Sequence, residues 1–104
     1  MRQHVFKKGD AEFGMVDGRP TIRGECDLSN AAEIEGWLIS FGEAPIDVDL
    51  SGVTFFGASA LRALINVAKC NPNIRVVEPS AAVRRVLEIT RTACFLVEGA
   101  DLGH

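Results

Sequence analysis

Apolar and polar residues alternate in several short stretches of the chain, a period typical of half-buried β-strands. Weak alternation over residues 11–17 leads to Asp17-Gly18, a strong turn signal, and a second run follows over residues 20–26. These two runs predict a β-hairpin. Residues 46–50 alternate more clearly, and Ile74–Val77 forms a further apolar run, so a third and a fourth strand are predicted there.

Helical periodicity lies between these strands, with apolar residues three or four positions apart. Asn30 and Glu33 have the spacing of a capping box, and Asp27 or Ser29 are alternative caps, so a first helix is predicted to begin here and to stop near Gly42. Further helices are predicted to start at Ser59 and Ser80, because serine is a preferred residue before a helix. The inward stripe predicted for the helix from Ser59 consists of Leu61, Leu64, Ile65 and Ala68.

Alternating strands and helices predict an α/β fold, with a mixed sheet of about four to five strands and about three to four helices packed mainly on one face. An apolar run over residues 94–97 is consistent with a last short strand. The length of 104 residues fits one domain, spanning 1–104. Within it, residues 1–10 are expected to form a loose N-terminal arm.

The charge, hydropathy and cysteine content of the chain exclude several classes of function. A formal charge of −3 offers no basic surface for nucleic acid or anionic lipid, so proteins are the expected partners. Neither a signal peptide nor an apolar stretch long enough to cross a membrane is found, so a cytoplasmic location without membrane insertion is expected. The thiols Cys26, Cys70 and Cys94 lack C-x-x-C spacing, which indicates reduced cysteines rather than disulfides or a zinc site.

No catalytic constellation can be assembled from these residues. A nucleophile, a base and oxyanion donors do not occur together, and no glycine-rich phosphate loop is found. His4 and His104 lie in opposite tails without nearby ligand clusters, so no metal site is predicted. The chain is therefore expected to be a binding module without a cofactor, not an enzyme.

The segment over residues 49–61 resembles the signature of the STAS domain family, the sulfate-transporter and anti-sigma-factor-antagonist module. The family form is D-L-S-x-V-x-F-hydrophobic-D-S-S/T-G-L, and this chain reads D-L-S-G-V-T-F-F-G-A-S-A-L. Gly57 stands where the family has aspartate, Ala58 where it has the first serine, and Ala60 where it has glycine. Ser59 keeps the position that is phosphorylated in many anti-sigma factor antagonists. The element order also matches the STAS fold over nearly the whole chain after about residue 15.

The resemblance implies an anti-sigma factor antagonist that acts in transcription regulation. Such a protein binds an anti-sigma factor of the ATP-binding serine kinase type, releases the sigma factor, and is switched off by phosphorylation, here at Ser59. The loop before the first helix lies beside the phosphosite in this family. The expected partner-binding residues are Asp27, Leu28, Ser29, Phe56, Gly57, Ala58, Ser59, Ala60 and Arg62.

Other interpretations stay open at this point. Without the resemblance, Ser59 is most simply an ordinary helix N-cap. Phe55 and Phe56 are adjacent in an extended segment, so one should enter the core and the other point outward. Either both are buried where the strand ends, or Phe56 forms the edge of a partner surface. Two other functions compete with the antagonist: a structural STAS subunit of a membrane lipid-transport ATPase complex, and a thiol-based redox-responsive regulator that uses Cys70.

Overall fold

A five-stranded mixed sheet organises the chain in the structure, a computed structural model that describes residues 5–90. The strands follow one another in sequence order across the sheet. The first three are antiparallel, and the third, fourth and fifth are parallel. The elements are β1 (Val5–Lys8), β2 (Ala11–Val16), β3 (Arg19–Cys26), α1 (Ala31–Ile39), β4 (Ile46–Phe56), α2 (Ala58–Cys70), β5 (Ile74–Val77) and α3 (Ala81–Ile89).

The predicted hairpin is formed by β2 and β3. Asp17 and Gly18 both adopt positive φ, 52° and 79°, which is the conformation of a type I′ turn and matches the twist of the strands. The segment expected to be a loose arm is more ordered than the pattern indicated, because Val5–Lys8 pairs with β2 as an edge strand. Phe6 of β1 lies opposite Phe13, and their rings are 5.8 Å apart.

The three helices contribute to a single core on one side of the sheet. On β4, Ile46, Val48 and Leu50 are buried, whereas the alternate residues are half-buried aspartates. Buried residues of all three helices, among them Leu38, Leu64 and Leu87, belong to the same apolar cluster as the buried face of β4. On the polar face, ion pairs join neighbouring strands, among them Arg23–Glu12 at 3.2 Å and Arg75–Asp47 at 3.3 Å. The mixed α/β sheet with helices on one face is thus confirmed.

Helix α2 differs from its predicted boundaries and inward stripe. It begins at Ala58, and Gly57 occupies the N-cap position. Its buried residues are Ala60, Ala63, Leu64 and Val67, whereas Leu61 and Ala68 pack against the core only partly. Small alanines therefore occupy sheet-facing positions, and larger side chains lie at the rim of the buried stripe.

The third helix is capped as predicted, since the Val83 amide donates to the Ser80 hydroxyl at 3.2 Å. The strand predicted over residues 94–97 lies outside the described residues. Across residues 5–90, none of the helices is both long enough and apolar enough to span a membrane.

Candidate functional site

Two connections meet at the carboxyl end of the parallel pair β3 and β4. Cys26 and Phe56, the last residues of these strands, lie side by side in the sheet. The Gly57 amide donates to the Cys26 carbonyl at 2.9 Å, which joins the two strand ends. Since parallel strands end at the same edge of a sheet, the loop over residues 27–30 and the start of α2 lie close together. This edge is the candidate site.

Ser59 is the second residue of α2 and not its N-cap, so the N-cap interpretation is wrong. Its N-cap, Gly57, has extended backbone geometry (φ −83°, ψ 176°) and contributes no side-chain hydrogen bond. The Ser59 hydroxyl is half-buried and accepts or donates no hydrogen bond within residues 5–90. Amide groups in the first turn of a helix lack intrahelical partners, and α2 has no acidic residue there. The start of α2 therefore has backbone N–H groups without a nearby carboxylate, and the Ser59 hydroxyl lies beside them.

The adjacent phenylalanines point to opposite sides of the sheet, but Phe56 is the inward one. Phe56 is 7% exposed and belongs to the core, whereas Phe55 is 50% exposed. The prediction that Phe56 edges a partner surface is therefore wrong, because its ring lies in the core, and Phe55 is the outward residue of the pair. Simple alternation along β4 does not predict this, because Val53 is buried and Thr54 is exposed, and the pairing with β3 shifts register twice between Asp49 and Phe55.

The loop before α1 displays a leucine on a hydrogen-bonded turn. The Asp27 carboxylate accepts hydrogen bonds from the Ser29 amide at 2.9 Å and from the Ser29 hydroxyl at 2.6 Å. Leu28, between them, is 82% exposed. A large aliphatic side chain held in water by a fixed turn gains little stability from its own fold, which makes Leu28 available for contact with another protein.

Asn30 holds this loop in place, a role that its position in the sequence does not predict. Its side chain is completely buried. Its Oδ1 accepts from the Asp27 amide at 3.0 Å, and its Nδ2 donates to the carbonyls of Lys8 at 3.2 Å and Glu25 at 2.9 Å. The capping box predicted from Asn30 and Glu33 is wrong, because Asn30 makes no side-chain bond to the helix and Glu33 pairs with Lys8 at 3.8 Å.

The predicted partner-binding residues divide into a surface group and a core group. Ala60, like Phe56, lies in the core: it is 5% exposed because it occupies the sheet-facing side of α2. It is therefore removed from the expected surface. The residues that remain half-buried or exposed at this edge are Asp27, Leu28, Ser29, Gly57, Ala58, Ser59 and Arg62.

The two described cysteines have different environments. Burial, and then the charge of Asp27, raises the pKa of the Cys26 thiol to about 11, so it stays protonated at neutral pH. Cys70 is exposed at the last position of α2, about 17 Å along the helix from Ser59 at 1.5 Å per residue. Both are free thiols. Within residues 5–90 no group of side chains has the composition of a metal site.

Comparisons with known proteins agree with this architecture. A family model described as STAS domain matches residues 20–98, more than half of the chain. No curated protein matches the chain. Among solved structures, the crystal structure of an anti-sigma factor antagonist from Mycobacterium paratuberculosis is similar, with a TM-score of 0.66 over 91% of this chain and 81% of that one. The two sequences are 22% identical, so this similarity concerns the fold.

Proposed function

This chain belongs to the STAS domain family, and from that premise we propose that it is an anti-sigma factor antagonist. It binds a cognate anti-sigma factor of the ATP-binding serine kinase type and thereby releases the sigma factor. It acts by binding and not by catalysis. The observation that carries the proposal is the Ser59 hydroxyl, which is unbonded within residues 5–90 and lies at the start of α2 beside the exposed loop over residues 27–30.

Phosphorylation of Ser59 ends the interaction. The kinase transfers the γ-phosphoryl group of ATP to the Ser59 oxygen, ADP leaves, and the hydroxyl proton passes to a base of the kinase. The phosphate carries a charge of about −1.5 to −2 at neutral pH. The unpartnered amides at the start of α2 can accommodate this charge, so the fold persists. The complex does not, because burying a dianion in a fitted interface has a large desolvation cost.

The test begins with an affinity pull-down and mass spectrometry, using the full chain as bait. The proposal requires recovery of a histidine-kinase-like ATPase. Recovery of a transporter ATPase or permease instead would support the structural role in a membrane transport complex and would contradict the antagonist role.

The recovered kinase is then incubated with ATP and the chain, and the intact mass is measured. We expect a gain of one phosphate that is absent from Ser59→Ala. We also expect Ser59→Asp to weaken binding while Ser59→Ala binds permanently. Ser51→Asp is the matched control, because Ser51 is exposed on β4 away from α2 and its substitution should leave binding unchanged.

A complex that forms without phosphate transfer would refute the switch while leaving the binding role intact. In that case Gly57, which replaces the family aspartate, is the first residue to change. Gly57→Asp should then restore transfer if the missing carboxylate is the cause.

A further inference from the structure

The outward face of α2 is positively charged, although the whole chain has a formal charge of −3. Its thirteen residues include Arg62 and Lys69 and contain no aspartate or glutamate. Both cations are exposed, and neither forms an ion pair within residues 5–90. Four other basic residues of the described chain have carboxylate partners, namely Lys8, Arg19, Arg23 and Arg75, whereas Lys7 on β1 and the pair Arg84 and Arg85 on α3 form no ion pair within residues 5–90.

A shallow depression of about 510 Å³ follows this face of the helix. Leu61 and Ile65 are half-buried and provide its apolar floor. Arg62 and Lys69 are seven residues apart, so they lie two helical turns, or about 10 Å, from each other. We call this surface the α2 face, and it is lined by Ala58, Leu61, Arg62, Ile65, Asn66 and Lys69.

A carboxylate of α1 borders the α2 face. The Glu35 carboxylate of α1 accepts a hydrogen bond from the side-chain Nδ2 of Asn66 at 3.4 Å. It forms no ion pair with Arg62 or Lys69, although its charge offsets part of theirs. The α2 face therefore combines two cations that form no ion pair within residues 5–90 with the apolar side chains of Leu61 and Ile65 beside them.

We propose that the α2 face docks an acidic amphipathic helix of the partner protein. Carboxylates two turns apart on that helix meet Arg62 and Lys69, and apolar residues between them cover Leu61 and Ile65. This is the helix-in-groove mode of recognition, with charge complementarity setting orientation and association rate. The inference rests on the proposed function for the identity of the partner, whereas the chemistry of the docked helix follows from the α2 face alone.

The same arrangement explains how a charge at Ser59 interferes with docking. Ser59 precedes Arg62 by three residues, and side chains at this spacing are neighbours on a helix, about 5–6 Å apart at Cβ. An anion on Ser59 therefore competes for Arg62 with the acidic helix. A phosphate of about two negative charges more than offsets the single positive charge of Arg62 beside it, whereas Lys69 lies about 15 Å along the helix from Ser59.

The test is an NMR titration of the full, isotopically labelled chain with a synthetic helical peptide. The peptide carries two glutamates seven residues apart with leucines between them, and the control peptide has lysines in place of the glutamates. We expect the acidic peptide alone to shift amide signals of the α2 face. Its affinity should fall about tenfold in the double variant Arg62→Ser, Lys69→Ser, and severalfold between about 50 mM and about 300 mM NaCl.

The matched control is the double variant Arg84→Ser, Arg85→Ser, which removes two exposed cations from α3 and should bind the acidic peptide as well as wild type. Circular dichroism checks that each variant is folded. Absence of shifts on α2, equal binding of the lysine peptide, or an equal loss in the α3 variant would overturn the proposal.

The two proposals can fail separately. If the acidic peptide binds the α2 face but the pull-down recovers no anti-sigma factor, the proposed function is wrong and the docking surface stands. If a recovered anti-sigma factor binds the Arg62→Ser, Lys69→Ser variant as tightly as wild type, the docking surface is wrong and the proposed function stands.

Discussion

Asn30→Ala should destabilise the protein strongly, although it replaces one polar side chain in a loop. Asn30 is completely buried and makes three hydrogen bonds, to the Asp27 amide and to the carbonyls of Lys8 and Glu25. Each bond contributes about 1 kcal/mol net, and a backbone group left buried without a partner costs about 1–3 kcal/mol. We therefore expect a loss of roughly 2–4 kcal/mol in the free energy of unfolding, since water can reach part of the exposed loop.

Urea denaturation followed by circular dichroism measures this loss. Asn73→Ala is the matched control: Asn73 also donates from Nδ2 to a backbone carbonyl, that of Glu43 at 3.0 Å, but it is exposed. Water can replace that bond, so the control should cost less than about 1 kcal/mol. Equal losses in the two variants would refute the reasoning, because burial would then have no effect.

A second variant tests the direction of the hydrogen bonds. Asn30→Asp keeps an acceptor for the Asp27 amide but turns an anion toward the carbonyls of Lys8 and Glu25. It should cost at least as much as Asn30→Ala. A stable Asn30→Asp protein would show that donation to these two carbonyls does not hold the loop.

Three further predictions concern stability. Leu64→Ala should cost about 2–5 kcal/mol in urea denaturation because Leu64 is 3% exposed, whereas Leu28→Ala, at an 82% exposed position, should be near neutral. Ser80→Ala should cost about 1 kcal/mol through loss of the cap on the Val83 amide, and unchanged stability would contradict that capping role. Burial holds the pKa of Cys26 near 11, above its ordinary value of 9.0, so the thiol contributes stability below pH 9 that is lost as pH rises toward 11. Cys26→Ala should flatten unfolding free energy across that range, and an unchanged slope would contradict the pKa.

The sequence predicted the elements better than the side chains that connect them. The strand Ile74–Val77 follows from its apolar residues, and the hairpin of β2 and β3 follows from alternation and from the turn at Asp17-Gly18. All of these signals are local properties of the chain. The edge strand Val5–Lys8 does not, because all four residues are exposed and its order comes from pairing with β2. The residue pattern within such a segment does not show that another strand is available to form hydrogen bonds with it.

The errors at the candidate site have a similar origin. Asparagine is a preferred residue type at a helix N-cap. The Asn30 side chain instead points away from the helix and donates hydrogen bonds to backbone carbonyls of β1 and β3. That choice depends on two strands brought near by the tertiary fold. The position of Ala60 in the STAS signature predicts a surface residue. The packing of α2 on the sheet buries it instead. Motif position locates a site along the chain but does not say which way a side chain points.

At Gly57 both the local sequence and the tertiary packing matter. The absence of a side chain there affects the capping of α2 and also the contact with the neighbouring Phe55 ring. Its φ of −83° is open to any residue, so backbone conformation does not require glycine there. A Cβ at this position would lie 3.1 Å from Cε2 of Phe55, a contact that asks the ring to move by a few tenths of an ångström. Phe55 is 50% exposed, so its ring has room to move outward. An aspartate at position 57 can therefore enter without disturbing the core, and Gly57→Asp probes the carboxylate itself and not a refolded site.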